Sequence, residues 1–124
     1  MSFSSTVPLA KFQNQRVKQT AVGTTADNNI IGGAAKISCI DVTHNGGAST
    51  KIFLHIWNDA APTAASTASH ICFPITNGQR QVVTINESIT FSNGVSWACG
   101  DSGGTGVGSA VSGGSTCSVT LIST

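Results

Sequence analysis

The chain has 124 residues, of which 6 are Lys or Arg and 5 are Asp or Glu, while Ser, Thr and Gly together supply 45. A net charge of +1 at pH 7 gives no general basic field for nucleic acid and no acidic one for cationic partners. With 9% of residues charged, against roughly a quarter in an ordinary soluble domain, the chain suits lying against other subunits better than diffusing alone, and its length fits one domain.

Residues 1–33 mix Gln, Asn, Thr and Gly without a sustained period and close on Asn28-Asn29-Ile30-Ile31-Gly32-Gly33. They read as an irregular N-terminal arm with room for one short strand, ahead of a domain over 34–124. Lys11, Arg16 and Lys18 precede the first acid, Asp27, so residues 1–26 carry +3 and the remainder carries −2. Such an arm is either solvated or docked on an acidic surface, and the second reading makes these three cations its anchors. The opening residues have no basic stretch leading into an apolar run, so no secretory leader is expected there, and synthesis in a cytoplasm is. No run reaches the roughly 18 to 20 apolar residues of a membrane-spanning helix, so no membrane partner is expected.

Lys36-Ile37-Ser38-Cys39-Ile40-Asp41-Val42 alternates in two halves whose phase slips at Cys39-Ile40, the mark of a bulged strand or of one buried on both faces. Asn45-Gly46-Gly47 supplies a turn. The clearest strand follows at 51–57. Ile52, Leu54 and Ile56 form its core face, and Lys51, Phe53, His55 and Trp57 form a second face that needs cover from a neighbouring element or subunit. An Ala-Pro-Thr loop runs from Asn58 to Ser69. Alternation returns at Ile71, Phe73 and Ile75, and short β segments are expected at 81–85, 89–91, 95–99 and 116–122, the last two separated by a glycine-rich loop at 100–115. No window carries the i, i+3, i+4, i+7 pattern of an amphipathic helix. Seven or eight short strands separated by turns predict an all-β, antiparallel, jelly-roll-like β-sandwich with an extended N-terminal arm.

From Lys36 to Ile122 the order of features resembles a group of small tailed-bacteriophage virion proteins of jelly-roll type. The residues that carry the resemblance are Lys51-Ile52-Phe53-Leu54-His55-Ile56-Trp57-Asn58-Asp59-Ala60-Ala61-Pro62-Thr63, then Phe73-Pro74-Ile75, then Ile89-Thr90-Phe91-Ser92-Asn93-Gly94-Val95, and a terminal hydrophobic strand. The chain departs from that pattern in its four cysteines and in ending Leu121-Ile122-Ser123-Thr124 where an aromatic is commoner. The resemblance implies a structural role on the particle: decorating or cementing the capsid, or forming part of the neck or tail.

Several constellations invite enzymatic readings. Gly100-Asp101-Ser102-Gly103-Gly104 matches the nucleophile segment of chymotrypsin-like proteases, and Thr67-Ala68-Ser69-His70-Ile71-Cys72 loosely echoes their histidine segment. The only acids between His70 and Ser102 are Glu87 and Asp101, the double barrel of that family needs a far longer chain, and a run of Gly and Ser yields such a pentapeptide by composition. Gly104-Thr105-Gly106-Val107-Gly108 lacks the lysine and following helix of a phosphate loop. Cys39, Cys72, Cys99 and Cys117 are read as buried thiols or as disulfides locked after release from a reducing cytoplasm, with three pairings open. His70-x-Cys72 alone is too little for a zinc site. His44 reads as a turn residue and His55 as a half-buried strand residue.

The expected function is therefore a non-enzymatic virion structural protein, assembled in a host cytoplasm. It is expected to form a homotrimer and to bind the major capsid protein or neck and tail proteins, with no cofactor, catalytic residue, metal or nucleic acid involved. Phe53, His55 and Trp57 are the expected contact face, and Lys11, Arg16 and Lys18 the expected anchors. A receptor- or carbohydrate-binding module built on Trp57, Trp97 and the 100–115 loop is the alternative from another class.

Overall fold

Alternation of period two decides which side of each strand is buried. In the last strand Cys117, Val119, Leu121 and Ser123 are buried while Ser118, Thr120 and Ile122 are partly exposed. A computed structural model describes residues 15–46, 51–64, 66–104 and 116–123 of the chain. Among them are seven strands and no helix: β1 (Gln15–Val22), β2 (Ala35–His44), β3 (Lys51–Trp57), β4 (Ile71–Thr76), β5 (Arg80–Phe91), β6 (Ser96–Gly100) and β7 (Cys117–Ser123).

The strands form two antiparallel sheets, one of four strands in the order β1-β7-β2-β5 and one of three in the order β4-β3-β6. Ile37, Ile40, Val42, Val119 and Leu121 from the larger sheet meet Ile52, Leu54, Ile56, Ile75 and Trp97 from the smaller in one core. The wiring is that of a jelly roll: the β3–β4 pair continues across to the other sheet as the β2–β5 pair, and β6 and β7 return against the free sides of β3 and β2. An eight-stranded roll would place one further strand beside β6. Here residues 23–30 take that place, joined to β6 by Asp27 N–H to Trp97 C=O at 2.9 Å, Cys99 N–H to Gly23 C=O at 2.8 Å and Ile30 N–H to Val95 C=O at 2.9 Å.

Of the arm read over 1–33, residues 1–14 lie outside the described residues. From Gln15 onward the segment belongs to the sandwich, because β1 pairs with β7 along its length and Val22, Ile30 and Ile31 pack on the core. The phase slip read at Cys39-Ile40 is a bulge, with the register shifting between Ile37 and Cys39. The expected strands at 81–85 and 89–91 are two halves of β5: Thr84 pairs with Cys39 and Ile89 with Ile37, so the extra residues between them bulge out, and Ser88 adopts a φ of 57° to accommodate them.

Candidate functional site

The outer face of the three-stranded sheet holds Phe53, His55 and Trp57, the residues expected to touch a partner. His55 and Trp57 are wholly buried and Phe53 is half-buried. Their cover comes from the chain's own loops. Trp57 donates its indole N–H to the Thr67 carbonyl at 2.8 Å, and its ring stacks on His55 with centroids 5.7 Å apart. The His55 ring sits between two loops: Nδ1 is 2.8 Å from Ser69 Oγ, and Nε2 is 2.6 Å from the Ser102 carbonyl. A carbonyl can only accept, so Nε2 carries a proton, and Nδ1 shares a hydrogen bond with the Ser69 hydroxyl, which can donate or accept. The ring is thereby satisfied at both ends, and β3, the 58–70 loop and the 101–104 segment are pinned together.

The approach is close enough to need glycine: a Cβ on Gly103 would lie 2.8 Å from the Phe53 ring. This face is thus an internal joint in the single chain: of the three residues expected as a contact face, His55 and Trp57 are buried beneath the chain's own loops and Phe53 stays partly exposed. Of the aromatics in the carbohydrate-binding alternative, Trp57 belongs to this joint and Trp97 to the main core. Trp97 is also wholly buried, and it donates its indole N–H to Gln19 Oε1 at 2.7 Å.

The protease-like segment is engaged locally too. Ser102 Oγ accepts the Gly104 N–H at 3.1 Å, and His70 Nδ1 accepts the Asn58 N–H at 3.1 Å. Each partner of the supposed dyad therefore caps backbone in its own loop. Cys72 lies 3.8 Å from His55 Nε2, but burial pushes its thiol pKa up, which suppresses the nucleophilic thiolate.

On the four-stranded sheet, cross-strand partners share a face. Lys18 pairs with Thr120, Thr120 with Asp41, and Asp41 with Val82, so these four residues run in one row across the outward side. Arg16, Ile122, Cys39 and Thr84 form the next row. Arg16 and Lys18, expected as anchors on a loose arm, stand exposed on this face, and Lys11 lies outside the described residues. Arg80 grips Asp41 with two hydrogen bonds, Nε to Oδ1 at 2.9 Å and Nη2 to Oδ2 at 2.6 Å. Arg16, Lys18 and Arg80 outnumber Asp41 there and leave this part of the face positive.

The two flanks of the sandwich differ. On one, residues 23–30 close the edge of β6. On the other, β4 and β5 are the outer strands, and β5, with 12 residues, is far longer than β4, with 6. Ile71 and Phe73 of β4 and Val83 and Ile85 of β5 pack on the core yet remain half-buried. Ile89 pairs with the buried Ile37 but is 39% exposed, and Val82 on the outward side is 51% exposed. Sequence reasoning missed this flank because Val82, Val83, Ile85 and Ile89 look like ordinary core residues of two short strands. The clue was the smaller number of strands available to cover a long β5.

His44, at the end of β2, is buried; its Nδ1 accepts the Gly46 N–H at 3.0 Å, and its Nε2 has no hydrogen-bond partner among the described residues. Burial lowers its pKa from the ordinary 6.5. The folded state thus binds this proton less readily than the unfolded chain, so stability is full above about pH 6.5 and falls as pH drops from there toward the folded-state pKa. Asp41 adds a lower window: the Arg80 hydrogen bond, opposed by partial burial, holds its pKa below 3.8, so that stabilisation is lost only as acid titrates it below that value. The urea midpoint is expected to fall between pH 7.5 and 5.5 in the wild type. In His44→Asn, which keeps an acceptor for Gly46 N–H, it changes much less; equal slopes in the two proteins remove His44 as the source.

The described residues hold no convergent group of three His, Cys, Asp or Glu side chains that could bind a metal ion. Comparison of the chain with protein-family models, with curated proteins and with solved structures gives no match.

Proposed function

We propose that this protein is a non-enzymatic structural protein of a bacteriophage virion, a capsid decoration protein that associates with copies of itself and cements the shell. The observation that carries the reading is the flank between β4 and β5, where Phe73, Val83, Ile85 and Ile89 are left partly uncovered beside the exposed Val82. An edge strand of this length is a template for pairing, and soluble monomers commonly blunt such edges with lysines or prolines. Here Arg80 and Glu87 are the only charges on β5, and Arg80 is tied to Asp41. A second copy seated along β5 covers the apolar rim and gives the strand's free backbone groups partners.

The remaining support is indirect. Jelly rolls recur among capsid proteins, which is an analogy of fold and not of site. The segment order described above resembles that of small phage virion proteins. The positive outer face bearing Arg16 and Lys18 suits an acidic capsid surface. Repetition over a symmetric shell lets modest contacts add, so each protomer requires only a small interface.

The test is quantitative mass spectrometry of purified particles, combined with rebinding of the isolated protein to particles stripped of it. The protein is expected in a fixed, symmetry-related copy number, and rebinding is expected to weaken when Arg16 and Lys18 are both changed to Glu. Absence from the particle, or binding indifferent to those reversals and to salt, overturns the proposal.

A further inference from the structure

We infer that Cys99 and Cys117 are a redox pair that closes into a disulfide across the two sheets. The inference is independent of any role on a virion. All four cysteines are free thiols in this structure, and the fold sorts them into different compartments. Cys72 pairs with His55 and lies with it on the outer side of the three-stranded sheet, and Cys39 pairs with Ile122 and Thr84 on the outer side of the other. Cys99 and Cys117 alone point into the shared core, where both are buried.

They also meet there from opposite sheets. Cys99, on β6, donates its backbone N–H to the Gly23 carbonyl at 2.8 Å. The preceding residue, Val22, is the register partner of Cys117 on β7. The neighbouring Cys99 thiol, together with burial, drives the Cys117 thiol pKa far up. Two buried thiols on β6 and β7, each registered against one of the adjacent residues Val22 and Gly23, are positioned for a bridge that ties the sheets together.

The same burial dictates when the bond forms. Attack requires a thiolate, which the folded core suppresses, so oxidation belongs to folding or to transient opening. The oxidant is a low-molecular-weight disulfide of the glutathione class. One cysteine thiolate attacks a sulfur of that disulfide and releases one reduced thiol. The second cysteine thiolate then attacks the protein sulfur of the mixed disulfide and releases the other. Two protein thiols lose two electrons and two protons, and one small disulfide becomes two small thiols.

The test is refolding of the full chain in a buffer of oxidised and reduced glutathione, trapping of remaining thiols, and digestion after Arg80 and before Asp101 without reduction. Peptide 81–100, carrying Cys99, is expected to be joined to peptide 101–124, carrying Cys117, and to separate on reduction. The oxidised protein is expected to melt about 5 °C or more above the reduced one, and Cys117→Ala is expected to lose that redox dependence. Both peptides free, or linked instead to the peptides of Cys39 or Cys72, overturns the inference, as do equal melting points of the oxidised and reduced wild type. If Cys117→Ala does not fold, the wild-type peptide map decides alone.

Discussion

Trp57→Ala is expected to destabilise the protein by about 3–5 kcal/mol, the range for removing a large buried aromatic. Against a total stability of roughly 5–15 kcal/mol for a domain, that approaches unfolding. The physical case rests on three losses at one position. The indole is wholly buried in a small cluster with Ala98, against which Ala26 and Ala64 also pack, separate from the main core. Small neighbours have little side chain with which to fill the hole. The Thr67 carbonyl loses its donor, and the His55 ring loses the surface on which it stacks. Trp57→Phe separates these contributions: it keeps an aromatic face and removes the N–H, so about 1–2 kcal/mol is expected. Urea unfolding supplies the energies, and limited proteolysis within 58–70 reports the loop, which should become cleavable in Trp57→Ala before global unfolding. An alanine variant within 1 kcal/mol of wild type and equally resistant in that loop contradicts the pinned joint.

Much of this joint was legible in the sequence, and the missing part has a specific cause. Ile52, Leu54 and Ile56 alternate with Phe53, His55 and Trp57, and that period fixes both the strand and the two faces. It says that the second face needs a cover without saying whether the cover is another subunit or the chain itself. The answer lies in loop conformation: a turn in which Thr67 N–H reaches the Thr63 carbonyl at 2.7 Å brings Ser69 and the Thr67 carbonyl over the sheet. Polar loop residues carry no periodic signal, so composition leaves such a roof invisible. A similar limit hid β1. Arg16-Val17-Lys18-Gln19-Thr20 has a single strongly apolar residue, because β1 is an edge strand with one face in solvent, and its place is set by pairing with Thr120, Leu121 and Ile122, remote in sequence.

The turn at 92–95 illustrates the opposite case, in which a motif was readable and its reason appeared only in three dimensions. Gly94 has a φ of 109°, and a Cβ there would lie 3.1 Å from Asn29 Oδ1 and 3.4 Å from the Ala60 backbone. Three segments converge at that point. Asn93 N–H donates to Asn58 Oδ1 at 2.8 Å, while the buried Ser96 hydroxyl accepts the Asn29 N–H at 3.0 Å and donates to the Asp59 carbonyl at 2.6 Å. The Asn-Gly turn thus anchors the segment that closes one flank of the sandwich. That closure covers the edge of β6 and leaves the β4–β5 flank without a comparable cover.

Changing Val82 and Ile89 together to lysine is expected to abolish self-association while leaving the fold intact. Covering a fully exposed side chain of this kind contributes about 1.5–3 kcal/mol; with Val82 51% and Ile89 39% exposed, loss of both contributes roughly 1.4–2.7 kcal/mol and weakens the contact by about tenfold or more. Lysine adds a second obstacle, since its ammonium resists leaving water in the presence of a second copy's edge; the pair of changes installs the device by which natural edge strands avoid one another. Stability should shift by no more than about 1 kcal/mol, because Val82 is 51% and Ile89 39% exposed in the single chain. Sedimentation of wild type and variant across a concentration series reads the association, and circular dichroism with urea unfolding reads the fold. A wild type that stays monomeric throughout, or a variant that associates as strongly, removes the open flank as the assembly surface. Loss of association accompanied by loss of particle binding ties that flank to the cementing role, whereas lost association with retained particle binding assigns shell contact to the positive face around Arg16 and Lys18.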